Sequence, residues 1–138
     1  MPELPQTEVP IVVRTDYSDQ AGWRALRTAI EATVPEDEGS YVFVEDPLRW
    51  DLPEQRLLDL LPAREEDPTF LLVADRQAVH GEEPTLLVVD LFPENHGAAF
   101  RAVLPEVWLI AVNLFLANMD FEDFADAVGP DGVFRGFD

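Results

Sequence analysis

Four aspartates stand just beyond the ends of short apolar runs, a position where carboxylates can bind metal ions. They are Asp16, Asp46, Asp75 and Asp90. If the runs are parallel strands, their carboxyl ends meet at one edge of a sheet, and the aspartates could hold Mg²⁺ for a reaction on a phosphorylated small molecule. The alternative is that each Asp stops a strand and caps the helix or turn that follows. We favour the capping role, because the sequence contains no glycine-rich phosphate loop and no Lys.

A second group of polar residues interrupts apolar segments and could bind a ligand or partner. Its members are Arg101, Asn113, Asn118 and Asp120. A buried amide without partners costs roughly 1–3 kcal/mol, so both Asn side chains are expected to bond backbone groups at helix ends, with Asn118 capping the turn into Asp120. Arg101 is expected to form a bidentate pair with a carboxylate, because its planar fork fits one. The alternatives are an anionic ligand pocket at Arg101 and a polar binding cluster at the other three residues.

The sequence shows no complete catalytic frame. His80 and His96 lie in loops without the spacing of a zinc site, so we predict that they are solvated turn residues. The only serines are Ser18 and Ser40, and neither lies in a G-x-S-x-G elbow. We therefore assign no catalytic residue and no cofactor, and Mg²⁺ enters only through the alternative in which the strand-end aspartates converge.

The balance of charges restricts the partners of this protein. The 138 residues include 28 Asp and Glu against nine Arg, which gives a formal net charge of -19. A surface of this sign repels nucleic acid and anionic membranes. The longest apolar run, residues 107–112, is far shorter than the roughly 20 residues of a membrane span. We expect no nucleic-acid or membrane partner and favour a basic protein surface, with the oligomeric state left open.

The length and apolar content predict a single folded domain over residues 1–138. Disordered acidic proteins have few aromatic residues, whereas this chain is 47% apolar and has nine Phe. Residues 1–9 are expected to form an extended arm, and they lack the basic and apolar regions of a secretion signal. The sequence has no Cys, which is compatible with a reducing compartment, so a cytoplasmic location is expected.

Apolar runs alternate with segments of helical spacing along the chain. The expected strands cover residues 11–13, 41–44, 70–74, 85–89 and 99–103. Ser18 and Asp51 are the expected N-caps of the first two helices. The alternation predicts an α/β or α+β domain, in which helices pack on the faces of a mixed sheet of about five strands. The first two strands are expected to be parallel, joined through the helix that contains Trp23.

Three segments leave alternatives open. The nine residues between Asp75 and Thr85 are short for a crossover, which favours antiparallel strands over a one-turn helix after Asp75. Residues 107–116 are apolar nearly all round, which favours a buried helix, although their Val and Ile content also suits a strand. The tail, residues 132–137, holds two Phe and is expected to pack back onto the domain.

Several short motifs make the chain similar to a known group of sequences. They are the residues 12–17, 87–91, 100–101, 105–108, 113–114, 117–121 and 132–137. On these motifs the chain resembles an uncharacterised family of small acidic actinobacterial proteins, a domain of unknown function. The resemblance implies a single bacterial domain and brings no activity, so it assigns no catalytic role to any residue.

These observations favour a binding protein over an enzyme. The expected function is that of a non-catalytic acidic module, regulatory or of the immunity type, that docks a basic partner. The alternative is a divalent-metal enzyme that acts through the strand-end aspartates.

Overall fold

Strands and helices alternate along the chain as the sequence predicts. The computed structural model describes residues 9–36, 38–66 and 68–137, so the predicted arm at 1–9 lies outside the described residues except for Val9. The strands are β1 Ile11–Arg14, β2 Val42–Val44, β3 Phe70–Ala74, β4 Thr85–Asp90, β5 Ala99–Val103 and β6 Val133–Phe134. The helices are α1 Gln20–Glu31, α2 Pro47–Trp50, α3 Glu54–Leu60, α4 Arg76–His80, α5 Leu104–Phe115 and α6 Phe121–Ala125, with a 3₁₀ turn at Pro93–Asn95.

The six strands form one mixed sheet in the order β2-β1-β3-β4-β5-β6. β1 pairs in parallel with both β2 and β3, as the partners Val12 and Leu72 show, and β3 and β4 pair antiparallel. The predicted parallel start and the predicted antiparallel step are therefore confirmed. The segment between β3 and β4 also contains α4, so the two alternatives for it coexist. The tail supplies a sixth strand, which packs parallel to β5 as expected for its apolar residues.

Helices cover both faces of the sheet. Since successive side chains of a strand point to opposite faces, each central strand contributes residues to both cores. On the first face, Val12 packs in a cluster with Trp23 of α1 and with residues of α5 and α6. On the second face, Val13 packs in a cluster with Trp50 of α2 and Leu57 of α3. The continuous apolar runs in β3 and β4 follow from this burial, since every residue of both strands is buried.

The order of connections creates a switch point beside β1. The chain leaves β1 through α1 on the first face to reach β2, and then returns through α2 and α3 on the second face to reach β3 on the other side of β1. The helices that follow β1 and β2 therefore lie on opposite faces, whereas α4, after β3, packs beside α1 on the first face, and a crevice opens beyond the carboxyl ends of β1 and β3. In open α/β sheets this crevice is where ligands bind.

Two of the predicted helix caps are wrong. The N-cap of α1 is Asp19, whose carboxylate accepts a hydrogen bond from Gly22 N at 2.8 Å, because the Ser18 hydroxyl is bonded to Asp16 instead. Asp51 does not cap α3, which starts after Pro53. Asp51 instead ends α2, a turn that the sequence did not predict and that places Trp50 in the second core.

Helix α5 is confirmed as a helix but is buried on one side only. Val107, Ile110 and Ala111 are fully buried, whereas Leu109 is 47% exposed and Leu116, the C-cap of the helix, is 62% exposed. The expected all-round burial is therefore wrong for the outer side, because nothing in the described part of the chain packs there with enough area to cover it. No helix among the described residues is long and apolar enough to cross a membrane.

Candidate functional site

The strand-end aspartates divide between two edges of the sheet. Asp16, Asp46 and Asp75 follow the parallel strands β1, β2 and β3, so they lie at the same edge. Asp90 ends the antiparallel strand β4 and pairs with Phe70 at the start of β3, which places it at the opposite edge. The fold thus brings three of the four predicted metal ligands to one edge and separates the fourth.

Asp75 serves the structure in two ways. Its Oδ1 accepts a hydrogen bond from Ala78 N at 3.1 Å and thereby caps α4. Arg101 donates to both of its oxygens, at 2.9 Å to Oδ2 and 2.7 Å to Oδ1, and donates through Nε to the Thr85 hydroxyl at 2.8 Å. The bidentate partner expected for Arg101 is therefore present, and each side chain of the pair is almost entirely withdrawn from solvent.

Asp46 also caps a helix, since its Oδ1 accepts from Leu48 N at 3.1 Å at the start of α2. Its own backbone N–H donates to the hydroxyl of Tyr17 at 2.8 Å, and that hydroxyl donates to Arg14 O at 3.1 Å. Burial raises the pKa of Tyr17, which keeps its hydroxyl protonated as a donor. The loop after β1 and the loop after β2 are thereby joined through one phenol.

Arg14 anchors the same edge from inside the first core. Its Nε donates to Asp16 O at 2.8 Å, and its Nη1 donates to Gln20 Oε1 at 3.0 Å and more weakly to Glu45 at 3.4 Å. The guanidinium lies 4.2 Å from the centre of the Tyr17 ring, where a cation–π contact compensates part of its desolvation. Its Nη2 has no hydrogen-bond partner within the described part of the chain. The carboxylate that pairs with Arg14 is Glu45.

Asp16 forms a cluster with Ser18 and His80 that the sequence reasoning missed. The Ser18 hydroxyl lies 2.9 Å from Asp16 Oδ1, and His80 Nε2 lies 3.0 Å from both Asp16 Oδ2 and Ser18 Oγ. In a hydrolase triad the acid holds one ring nitrogen and the serine uses the other. Here both groups meet the same nitrogen, so the cluster lacks the geometry of a proton relay.

His80 is exposed, as predicted, but the prediction that it lies in a loop turn is wrong. His80 occupies the last turn of α4, a helix that Asp75 starts, and this places its ring against the loop after β1. The sequence signal that could have found it is the Asp75 cap followed five residues later by a ring, since a histidine in a last turn suits the helix dipole. Because the partner lies 64 residues away, only the fold reveals the contact.

A cleft with a volume of about 590 Å³ opens over the carboxyl ends of β1 and β3. We call it the switch-point cleft; the residues that define it are Asp16, Asp51, Glu54, Asp75, Arg76 and His80. Asp51, at the end of α2, and Glu54, the first residue of α3, are exposed on one wall, and Arg76 and His80 lie on the other. Arg101 neutralises the charge of Asp75. The other carboxylates of the cleft, on Asp16, Asp51 and Glu54, outnumber the single guanidinium of Arg76, so the cleft favours cationic groups.

Among residues 9–36, 38–66 and 68–137, no group of three or more His, Asp or Glu side chains is arranged to hold a metal ion. The reason is that the carboxylate oxygens already have hydrogen-bond partners within the protein. Asp46 and Asp75 use their oxygens on backbone N–H groups and on arginines, and Asp16 faces Ser18 and His80. The carboxylates share an edge of the sheet without converging on one point.

The remaining predicted binding residues, Asn113, Asn118 and Asp120, lie at the end of α5 and the start of α6. Asn113 Nδ2 donates to Leu109 O at 2.8 Å, which is the expected bond to the backbone. Asn118 does not cap the following turn, because Asp120 itself is the N-cap of α6 and forms a reciprocal box with Asp123. This group belongs to the same edge as Asp90, far from the switch-point cleft and from Arg101.

The chain matches none of the curated proteins with which it was compared. A family comparison does give a match, and the matched residues, 9–137, take in every strand and helix described above. They include the switch-point cleft and the motifs of the last third of the sequence. Because the match spans nearly the whole chain, the protein belongs to the family described as a domain of unknown function, DUF6924.

Proposed function

We propose that this protein is a non-catalytic binding module that docks a basic protein partner, whose cationic side chains enter the switch-point cleft. The observation that carries the proposal is the position of the cleft. It lies at the switch point of the sheet, and exposed carboxylates of Asp51 and Glu54 line it. A regulator or an immunity-type inhibitor would use such a surface to hold its target.

The charge of the whole chain supports the same proposal. At -19 the protein attracts basic surfaces over a distance set by the ionic strength and repels nucleic acid. Complementary fields of this kind raise the rate of association with a basic partner. Because the sequence has no Cys, the reducing cytoplasm is the compartment we infer for this interaction.

One observation favours a second candidate, a Mg²⁺-dependent enzyme acting on a phosphorylated small molecule. Three of the strand-end aspartates do share the ligand-binding edge of the sheet. Calorimetric titration with Mg²⁺ tests this candidate. Saturable binding that Asp16→Asn abolishes would favour the enzyme over the binding module, whereas no saturable heat would remove it.

The binding module is tested with an arginine-rich peptide as the probe. We expect the wild-type protein to bind the peptide at low salt and to bind it much more weakly at about 0.15 M salt, where charges beyond about 8 Å are screened. The double variant Asp51→Asn, Glu54→Gln should lose about tenfold in affinity, which corresponds to about 1.4 kcal/mol.

The matched control removes the same two charges elsewhere. Glu65 and Glu66 are exposed in the loop before β3, outside the switch-point cleft, so Glu65→Gln, Glu66→Gln should change the affinity far less than the cleft variant does. Equal losses in the two double variants would show that the peptide responds only to net charge. That result would contradict the assignment of the cleft as the docking site.

A further inference from the structure

A second pocket, at the opposite edge of the sheet, has a different chemistry. It lies between the end of β4, the 3₁₀ turn Pro93–Asn95 and the junction of α5 with α6, and its volume is about 590 Å³. We call it the Asp90 pocket, after the carboxylate at its floor. Its volume lies in the range of sites that hold small organic molecules.

The walls of the Asp90 pocket combine polar groups with a continuous set of apolar side chains. The apolar side chains are those of Phe70, Phe92, Leu114, Phe115, Met119 and Phe121. Phe70 and Phe121 belong to the core and are fixed by their packing, whereas Phe92 is 40% exposed beside the opening. Aromatic side chains in this arrangement can enclose a ring or a branched apolar group by face and edge contacts.

The charged groups of the pocket all have one sign. Of the described residues that line it, four are acidic and none is basic; the acidic ones are Asp90, Glu94, Asp120 and Glu122. The nearest basic residue along the chain, His96, does not line the pocket, and its Nε2 lies 2.7 Å from Leu61 O. Asn95 donates to Glu122 through its amide and so ties the 3₁₀ turn to α6 across the pocket.

Asp90 is the group that a ligand would satisfy. The residue is 7% exposed, and its Oδ1 accepts a hydrogen bond from Phe92 N at 3.0 Å. Burial raises the pKa of Asp90, and the neighbouring charge of Glu122 raises it further, although the hydrogen bonds from Phe92 and Asn95 and the nearby His96 act in the opposite direction. Asp90 and Glu122 thus bring two negative charges to a pocket that no described basic residue lines, and a cation bound between them would compensate both.

We propose that the Asp90 pocket binds a small amphiphilic amine, with an apolar or aromatic body against the phenylalanines and an ammonium group between Asp90 and Glu122. An anionic ligand would meet four carboxylates. A neutral apolar ligand would cover Asp90 and remove its remaining access to water without offering a partner. A small hydrophilic cation would make no apolar contacts with the phenylalanine side chains of the pocket.

The experiment compares three probes that separate charge from apolar area. They are 2-phenylethylamine, 2-phenylethanol and n-butylamine, each titrated into the full-length protein and followed by calorimetry and by amide chemical shifts. We expect the phenylethylamine to bind about tenfold more tightly than the other two, since both parts of the ligand contribute. The largest changes in amide chemical shift on adding the amine should occur at Asp90, Met119 and Phe121.

Variants then identify the carboxylates that contribute. Asp90→Asn keeps the acceptor oxygen for Phe92 N and should fold at least as well as wild type, because burial penalises the charged form. It should reduce amine binding to the level of the alcohol, and Glu122→Gln should reduce it in the same direction. Glu65→Gln removes one exposed charge outside the pocket and should leave amine binding unchanged.

Four results would overturn this assignment. One is equal affinity for the amine and the alcohol, and another is unchanged amine binding in Asp90→Asn. The third is a cluster of shifts at the switch-point cleft instead. The fourth is an arginine-rich peptide that shifts the Asp90 pocket at lower concentration than the amine does, which would make it a peptide site. Because the pocket residues and the amine probes differ from those of the switch-point cleft, failure of amine binding here leaves the docking proposal to its own test.

Discussion

Two arginines of this acidic chain form ion pairs of similar geometry that differ in burial. Arg101 and Asp75 form a bidentate pair that is nearly closed to solvent, and Thr85 satisfies a further N–H of the guanidinium. Arg135 makes the same kind of contact with Asp131 and Glu83 at the surface. The two sites thus offer a comparison in which the chemistry is similar and the exposure differs.

Replacing Arg101 with Ala should destabilise the protein by about 3 kcal/mol, because it leaves the Asp75 carboxylate buried without its partner. Urea unfolding measures the change. Arg135→Ala is the control, and it should have a much smaller effect, since water and salt screen its exposed contacts. Equal destabilisation by the two variants would contradict the structural role assigned to Arg101.

The two tyrosines should titrate separately. Burial raises the pKa of Tyr41 to about 12, against the opposing effect of its hydrogen bond with Thr33, whereas that of Tyr17 is raised less. The folded pKa of Tyr41 exceeds the unfolded value, so this stabilising contribution is complete below pH 10 and is lost as the pH rises toward 12. Absorbance of the phenolate should show a late step near pH 12, and Tyr41→Phe should remove it. A single step near pH 10 in the wild type would refute the burial of this phenol.

Local contacts of single residues could be predicted from the sequence, whereas tertiary contacts could not. The capping role of Asp46 and Asp75 could be predicted, because an Asp after a strand has few local alternatives. The cluster of Asp16, Ser18 and His80 could not, since it joins two loops that are distant in sequence and depends on the orientation of α4. The cap of α1 shifted by one residue for the same reason, as the Ser18 hydroxyl had a tertiary partner.

Among the elements, α5 shows most clearly how packing divides one apolar sequence into two sides. Its inner side completes the first core, and its outer side carries Leu109 and Leu116 in contact with solvent. The apolar residues on all sides predicted complete burial, because composition does not reveal how many layers cover a helix. The strands were predicted more accurately, since short apolar runs bounded by Pro, Gly and Asp have few other uses in a soluble fold.

Substitutions on the two sides of α5 should therefore differ in cost. Ile110 is fully buried, so Ile110→Ala should destabilise the protein by about 2–5 kcal/mol through lost burial and the cavity that remains. Leu116 is 62% exposed, and Leu116→Ala should lie within about 0.5 kcal/mol of wild type. Thermal and urea unfolding of both variants measure the difference. A large loss in Leu116→Ala would indicate that another surface covers the outer side.

At the scale of the whole molecule, the charge of -19 opposes the compact state that the two cores stabilise. Carboxylates repel one another across the surface, and the unfolded chain relieves this repulsion by expanding. Arg14, Arg101 and Arg135 offset part of the repulsion through the pairs described above. The fold class follows from the apolar pattern, and the charge bears on stability and partners instead.

Added salt should consequently raise the free energy of unfolding. Between about 0.01 M and about 0.1 M salt the screening length falls from about 30 Å to about 10 Å, which weakens repulsion between distant carboxylates more than it weakens the short buried pairs. Urea unfolding at the two salt concentrations measures the change. A decrease in stability with salt would mean that the ion pairs contribute more than the general repulsion costs.

The lengths of the outermost strands have a consequence at acidic pH. β2 has three residues and β6 has two, and they form the two ends of the sheet. So little free backbone leaves a poor template for a neighbouring molecule to add a strand. Near pH 4.1, where the net charge vanishes, the protein should therefore aggregate through its exposed apolar side chains and form amorphous precipitate in preference to amyloid fibrils.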